Sequence, residues 1–269
     1  MSALLTFLTF AVSLMQPVSA AMPRYEEHLL PENSVYTDIK SRVGDKFFSV
    51  YADYEENVAR VLFDAYHHDV VGRVFVLPSF EPEYAIALTL SDENYGVLHL
   101  KSSAQLWHFE SLEMLRAGAY RRREDTDGSE LAADIKDLES RLPASRQEVV
   151  VEHCERMLSK KVGTKLYSLW SEMLFRTRYP DLRPASPKAK PVPLGLAIDG
   201  TAYHFSFEYP RFTLAGKILS PGEDSVTGQF VAIAEMMKDA CHAEDNEHIL
   251  ADMEQRIDAL TATLSETNY

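Results

Sequence analysis

Between Arg73 and Leu100 the chain reads RVFVLPSFEPEYAIALTLSDENYGVLHL. Three short β-type runs stand in it, Arg73 to Leu77, Tyr84 to Leu90 and Gly96 to Leu100, punctuated by Pro78, Pro82, Asp92 and Asn94. The gaps are turn-sized. Parallel strands need crossovers of a dozen or more residues, so these runs predict an antiparallel meander. Gln105 to Phe109 is expected as a fourth strand of the same kind.

Working outward, Val58, Val61, Leu62, Ala65 and Tyr66 recur at i, i+3, i+4, i+7 and i+8, one apolar stripe of a helix. Downstream, residues 121–146 are highly charged and read as a polar insertion. Leu131, Ile135, Leu138 and Leu142 within it predict a short amphipathic helix laid on the body. A strand is expected again from Glu148 to Cys154. Leu166, Leu169, Trp170, Met173 and Leu174 repeat the helical stripe, which Pro180 must stop. Residues 180–193 hold five of the thirteen prolines and read as an exposed, semi-rigid connection. Leu194 to Ile198 and Thr201 to Glu208 then predict a hairpin around Asp199-Gly200, a pair that supplies the positive φ values of a two-residue turn. Leu214 to Leu219 adds a strand before Pro221-Gly222.

Ser225 to Thr267 is helical in pattern. Leu250, Met253, Ile257, Leu260 and Leu264 run at spacings of three and four, the seam of about two heptads. This window holds two bases and nine acids. The fold class is therefore α+β: an antiparallel meander and hairpin sheet packed with amphipathic helices, ending in a long acidic helical segment. Residues 21–269 are expected to form a single domain.

The N-terminus carries a different signal. Residues 1–22 contain no Asp, Glu, Lys or Arg. Ala3 to Met15 is an apolar run too short to cross a bilayer of roughly 30 Å. Val18-Ser19-Ala20 follows, a small-residue cleavage pattern, so residues 1–20 read as a signal peptide cut between Ala20 and Ala21. No base precedes Ala3, and a buried N-terminal helix or strand is the alternative. The expected location is periplasmic or secreted, with no stable membrane span after cleavage. Cys154 and Cys241 are the two cysteines of the chain. They either pair in a disulfide, as an oxidising compartment permits, or stay apart as small buried hydrophobes.

Composition narrows the class. With 46% apolar and 25% charged residues the chain is an ordinary folded domain. Its 27 bases against 41 acids, a net −14, argue against nucleic acid or anionic lipid as a generic partner.

Two stretches carry a resemblance. Trp170-x-x-Met173-Leu174-x-x-Thr177-Arg178-Tyr179, followed by Ile198-Asp199-Gly200-Thr201-x-Tyr203-His204-Phe205, resembles a loose group of bacterial proteins with no assigned activity. Many of them carry export signals. The resemblance implies a bacterial, exported protein and carries over no catalytic residue.

The usual signatures of serine hydrolases, zincins, dinucleotide folds, P-loops and EF-hands are missing from the chain. Scattered candidates remain. His204 and Glu208 lie four apart on an expected strand, so both point to one face, where an imidazole and a carboxylate are the partners of acid–base work. They read equally as a surface pair beside a hairpin. Cys241, His242, Asp245 and His248 contain zinc-ligand types near one helix face, in a segment whose acids also suit a plain solvated face. His67-His68-Asp69 closes the first helix, where histidine suits the dipole. Arg121-Arg122-Arg123 is followed at once by Glu124, Asp125 and Asp127. Trp107-His108-Phe109 and Trp170 are expected in the core.

The leading functional expectation is an exported, non-enzymatic protein-binding protein, of an inhibitor or immunity kind, that uses no cofactor. Its contact is expected along the acidic C-terminal helix bearing Leu250, Met253, Ile257, Leu260 and Leu264, a seam that could equally pack on its own body or form a homo-oligomer. The alternative is a hydrolase or metal-dependent enzyme using His204 with Glu208, or the Cys241, His242, Asp245 and His248 cluster.

Overall fold

A computed structural model describes residues 27–31, 45–117, 128–178 and 200–266. The elements run α1 (Asp45–Val61), a 3-10 turn (Phe63–Tyr66), β1 (Val70–Pro78), β2 (Tyr84–Ser91), β3 (Asn94–Ser102), α2 (Trp107–Arg116) and α3 (Gly128–Arg141). A second 3-10 turn (Arg146–Glu148), β4 (Val151–Met157), α4 (Lys160–Phe175), β5 (Thr201–Tyr209), β6 (Phe212–Leu219), α5 (Val226–His242) and α6 (Glu247–Glu266) complete the chain. The six strands form one sheet in the order β4-β3-β2-β1-β5-β6. Every neighbouring pair is antiparallel, so the protein is α+β.

The decisive stretch folds as the meander. Ser91 pairs with Asn94 across a two-residue turn in which Asp92 and Glu93 both take positive φ, 49° and 65°. That is the backbone a primed hairpin turn demands, and Asn94 Nδ2 secures it by donating to Asp92 O at 3.1 Å.

Alternation along each strand sends side chains to two opposed cores. Val74, Val76, Ile86, Leu88, Phe205 and Phe207 meet α4, α5 and α6 on one face. Phe75, Leu77, Ala85, Ala87, Leu98 and Leu100 meet Tyr54 and Val58 of α1 and Leu62 just after it, together with Leu106 and Phe109 at α2, on the other. The sheet is thus covered on both sides, which is why β1 reads as a nearly unbroken apolar run rather than an alternating one.

α4 starts at Ser159, whose Oγ accepts from Val162 N, and α5 starts at Ser225, whose Oγ accepts from Gly228 N. The α4 stripe is buried in full, and Trp170 at its centre donates from Nε1 to Ser206 O at 3.1 Å while its ring packs edge-on against Phe205 and Phe230. Gly163 lets the first turn of α4 touch Tyr95, because a Cβ there would sit 2.2 Å from the ring.

Four expectations change. Gln105 to Phe109 is not a strand: Leu106 N and Trp107 N donate to the buried Glu83 carboxylate, and this cap starts α2 in spite of the aromatic run. The helix of Val58 and Val61 ends at Val61: Leu62 caps a 3-10 turn to which Ala65 and Tyr66 belong. The strand expected from Glu148 begins at Val151, because residues 146–148 form the second 3-10 turn. The C-terminal pattern is two helices, broken between His242 and Glu247, and the heptad seam of α6 is internal. Met253, Ile257, Leu260 and Leu264 are at most 3% exposed among the side chains of α4 and α5. The seam is therefore spent on the molecule's own core, and α6 shows solvent its polar side. The signal segment, Arg121 to Arg123, the Pro-rich connection and the strand Leu194 to Ile198 lie outside the described residues.

Candidate functional site

β5 places His204 and Glu208 on one face, the α1 side of the sheet, as their spacing requires. Four residues of strand nevertheless separate two Cα atoms by about 13 Å, too far to share a proton. Each has other partners. His204 stands opposite Phe75 and Lys217 in register, with Nε2 3.4 Å from Glu55 Oε1 of α1. Burial, helped by Lys217, holds its pKa down to about 3, so the imidazole is neutral at ordinary pH. Glu208 pairs with Arg73 at 2.8 Å and accepts from Thr213 Oγ1 at 2.5 Å. Arg73 in turn lies over the Tyr66 ring at 3.9 Å. The two residues do not form an acid–base pair.

Cys241, His242, Asp245 and His248 are also kept apart. Cys241 is bonded to Cys154, S–S 2.08 Å with Cα atoms 6.1 Å apart, so its sulfur is no metal ligand. His242 turns to His99, Nε2 to Nδ1 2.8 Å. Asp245 Oδ1 accepts from Glu247 N at the start of α6, and His248 is exposed on that helix. The helical drift that would gather these side chains ends with α5 at His242. Among the described residues, the group with ligand atoms close enough to share a cation is His67, His68 and Asp69. Three consecutive side chains, two of them exposed, make a loose cluster.

Three elements meet unexpectedly where the disulfide ties β4 to α5. His99 of β3 stands in register with Cys154. Tyr84 of β2 lies edge-on to the His99 ring at 5.7 Å and donates to Glu235 Oε1 of α5 at 2.6 Å. Lys238, one turn on, pairs with Glu235 and sits 5.1 Å over the Tyr84 ring. Burial, then the neighbouring His242, Lys238 and Lys101, hold His99 down to about 4. Burial and Glu235 push Tyr203 up to about 12 and raise Tyr84 as well. His99 Nε2 is buried without a hydrogen-bond partner. Sequence spacing reaches only the i, i+3 pair Glu235 and Lys238; Tyr84 and His99 join them through strand register, which no local pattern carries.

The α1 side has its own polar core. Glu83 is fully buried and accepts from Tyr54 Oη, Leu106 N and Trp107 N at 2.7–3.0 Å. Burial raises its pKa while these donors pull it back. Glu110 accepts from Asn57 Nδ2 and pairs with Arg146, and burial raises it too. Asn57 and Arg146 line a cleft of about 810 Å³ between α1, α2, α3 and the second 3-10 turn. Each of its guanidinium groups pairs with a carboxylate: Arg60 with Glu56, Arg116 with Glu139, Arg146 through one terminal nitrogen with Glu110 and Glu113. Arg146 Nε is nevertheless buried without a hydrogen-bond partner.

The acids of the C-terminal hairpin divide into two sets. Glu254 and Asp258 meet Lys161 and Lys165 of α4, and Asp252 meets Arg256. Asp239, Glu244, Asp245 and Glu247 are exposed around the α5–α6 turn, with no basic side chain against them among the described residues. Asn246 Nδ2 donates to Ala240 O and braces that turn.

No family model, no curated protein and no solved structure matches this chain.

Proposed function

We propose that this chain is an exported, non-catalytic protein-binding protein that presents the acidic α5–α6 turn to a basic partner. The observation that carries the reading is the unneutralised group Asp239, Glu244, Asp245 and Glu247, held on a turn fixed at its base by the Cys154–Cys241 disulfide. A fixed patch of one sign steers an oppositely charged partner and raises its association rate without any reacting group. The disulfide supports an oxidising compartment, in keeping with the export pattern at Val18 to Ala20. The hydrolase or metal-dependent alternative is weakened by the separation of His204 from Glu208 and by the engagement of Cys241.

The test immobilises residues 21–269 and recovers proteins from the exported fraction of the source cell, beside the triple variant Glu244→Lys, Asp245→Lys, Glu247→Lys. A basic protein retained at low salt, released by high salt and missed by the triple variant is the expected result. Retention of the same proteins by both baits, or of none, overturns the reading. Mass spectrometry of the exported protein checks its location, and an intact Met1 there would count against export with cleavage.

A further inference from the structure

The two edges of the sheet differ. β6 is partly covered, since Leu30 and Lys217 exchange main-chain hydrogen bonds at 2.8 and 2.9 Å. β4 has no strand beyond it among the described residues. Its ladder to β3 is closed at one end by Ser103 N donating to Val150 O and at the other by Leu158 N donating to Tyr95 O. In an antiparallel pair the bonded residues alternate, so Val150, Glu152, Cys154, Arg156 and Leu158 turn their main chain toward β3. Val151, His153, Glu155 and Met157 turn theirs outward, and Glu152, His153, Glu155 and Met157 expose their side chains as well.

We propose that β4 pairs antiparallel with β4 of a second copy about a two-fold axis at Cys154, joining two six-stranded sheets into one. The sequence of the strand is self-complementary about that residue. Glu152 meets the second copy's Arg156, His153 meets its Glu155, and Val151 meets its Met157, which is 60% exposed in the single chain. Each pair occurs twice by symmetry and lies on one face, as cross-strand partners must. The outward N–H and C=O groups then close about eight main-chain hydrogen bonds. The neighbouring registers that keep those bonds set His153 on His153 or Glu155 on Glu155, and both lose the opposite-charge pairs. Edge charges ordinarily block pairing; here their order permits it in one register with one partner.

This surface is distinct from the acidic turn, so either proposal can fail alone. An edge-to-edge contact is small, and dissociation on the order of micromolar is expected. Because the disulfide ties Cys154 to α5, both acidic turns fall on the same side of the joined sheet. Sedimentation equilibrium of the oxidised chain is therefore run near 0.15 M salt, where a screening length of about 8 Å quiets their repulsion.

The native chain should show a monomer–dimer equilibrium. Glu152→Arg sets like charges opposite in both pairs and should weaken it roughly tenfold. Adding Arg156→Glu restores opposite charges and should recover the native value. His153→Pro removes an outward N–H while sparing the ladder to β3, and should give monomer. Independently, Cys241→Ala frees Cys154; oxidation by glutathione disulfide should then yield a Cys154–Cys154 cross-linked dimer, because the central unbonded pair brings Cα atoms to about 4.5 Å. A native chain that stays monomeric, a charge swap that fails to recover dimer, or a dimer that persists in His153→Pro overturns the proposal.

Discussion

The face of the sheet under α4, α5 and α6 is filled by Trp170, Phe205, Phe207 and Phe230, and its rim is cross-linked by Cys154–Cys241. The face under α1 and α2 buries the carboxylates of Glu83 and Glu110 beside Arg73, Lys217 and the shielded imidazole of His204, and opens into the cleft at Arg146. The first face gains stability from apolar area and shape, which add up locally and tolerate no holes. The second depends on each polar group finding its partner, since a buried group left unpaired costs more than its bond contributed. One sheet therefore supports a side that fails mainly by cavity, with the His99 cluster against α5 as its polar exception, and a side that fails by protonation or by a lost donor.

The largest expected effect tests the apolar side. Trp170→Ala removes the ring that Phe205 and Phe230 pack against and leaves the Ser206 carbonyl without its donor. The loss in urea unfolding should be about 4 to 5 kcal/mol. A cost under about 1 kcal/mol would mean that this face is loosely packed, and the contrast between the faces would fall.

Next comes the covalent tie. The two cysteines lie 87 positions apart, and replacing both by alanine should cost about 4 kcal/mol, a little under the roughly 4.6 kcal/mol that loop entropy assigns to a loop of that length. Differential scanning calorimetry with and without reductant gives the same quantity. A reduced protein melting with the oxidised one would show that the packing of α5 already restrains β4.

The polar side is probed by Glu83→Gln. One carboxylate oxygen takes Tyr54 Oη and Trp107 N, the other takes Leu106 N. An amide must turn its NH₂ toward one of these donors, so a cost of about 2 kcal/mol is expected, with fraying of α2 in hydrogen exchange. A neutral substitution would show that α2 does not need its cap.

The same contrast explains what could be read from the chain alone. The apolar face was legible because its information is periodic: the α4 stripe and the α6 seam specify which side of each helix is buried, while the unbroken apolar runs of the central strands mark a sheet covered on both faces. The start of α2 was not, because Glu83 caps that helix from more than twenty residues away in sequence. Nor was the break after His242, where Asn246 and Asp245 bond the main chain of the turn without interrupting the apolar spacing. Neither were the contacts of Tyr84 and His99, which depend on strand register and on where α5 lands. The distance between His204 and Glu208 was available in principle. Period two places them on one face, and rise per residue separates them.

The smallest effect expected is on acidity, and its sign differs between the groups involved. Burial holds His204 to about 3 and His99 to about 4, against an ordinary value of 6.5. Above pH 6.5 both imidazoles are neutral in either state and their full contribution to stability is present. As pH falls from 6.5 toward 4 the unfolded chain takes up protons that the folded chain refuses, so stability is lost through that window. Glu83 and Glu110 oppose this, because their raised pKa values let the folded state bind protons first. With that offset the net loss between pH 6.5 and 5 should be roughly 1 to 2 kcal/mol, seen as a falling urea midpoint at constant slope. His204→Asn and His99→Asn should each flatten the profile by about the same amount down to pH 5, because both folded values lie below that window, and only near pH 4 does the stronger depression of His204 separate them. If stability instead rises toward pH 5, the carboxyls govern the α1 face, and its vulnerability lies at alkaline rather than acid pH.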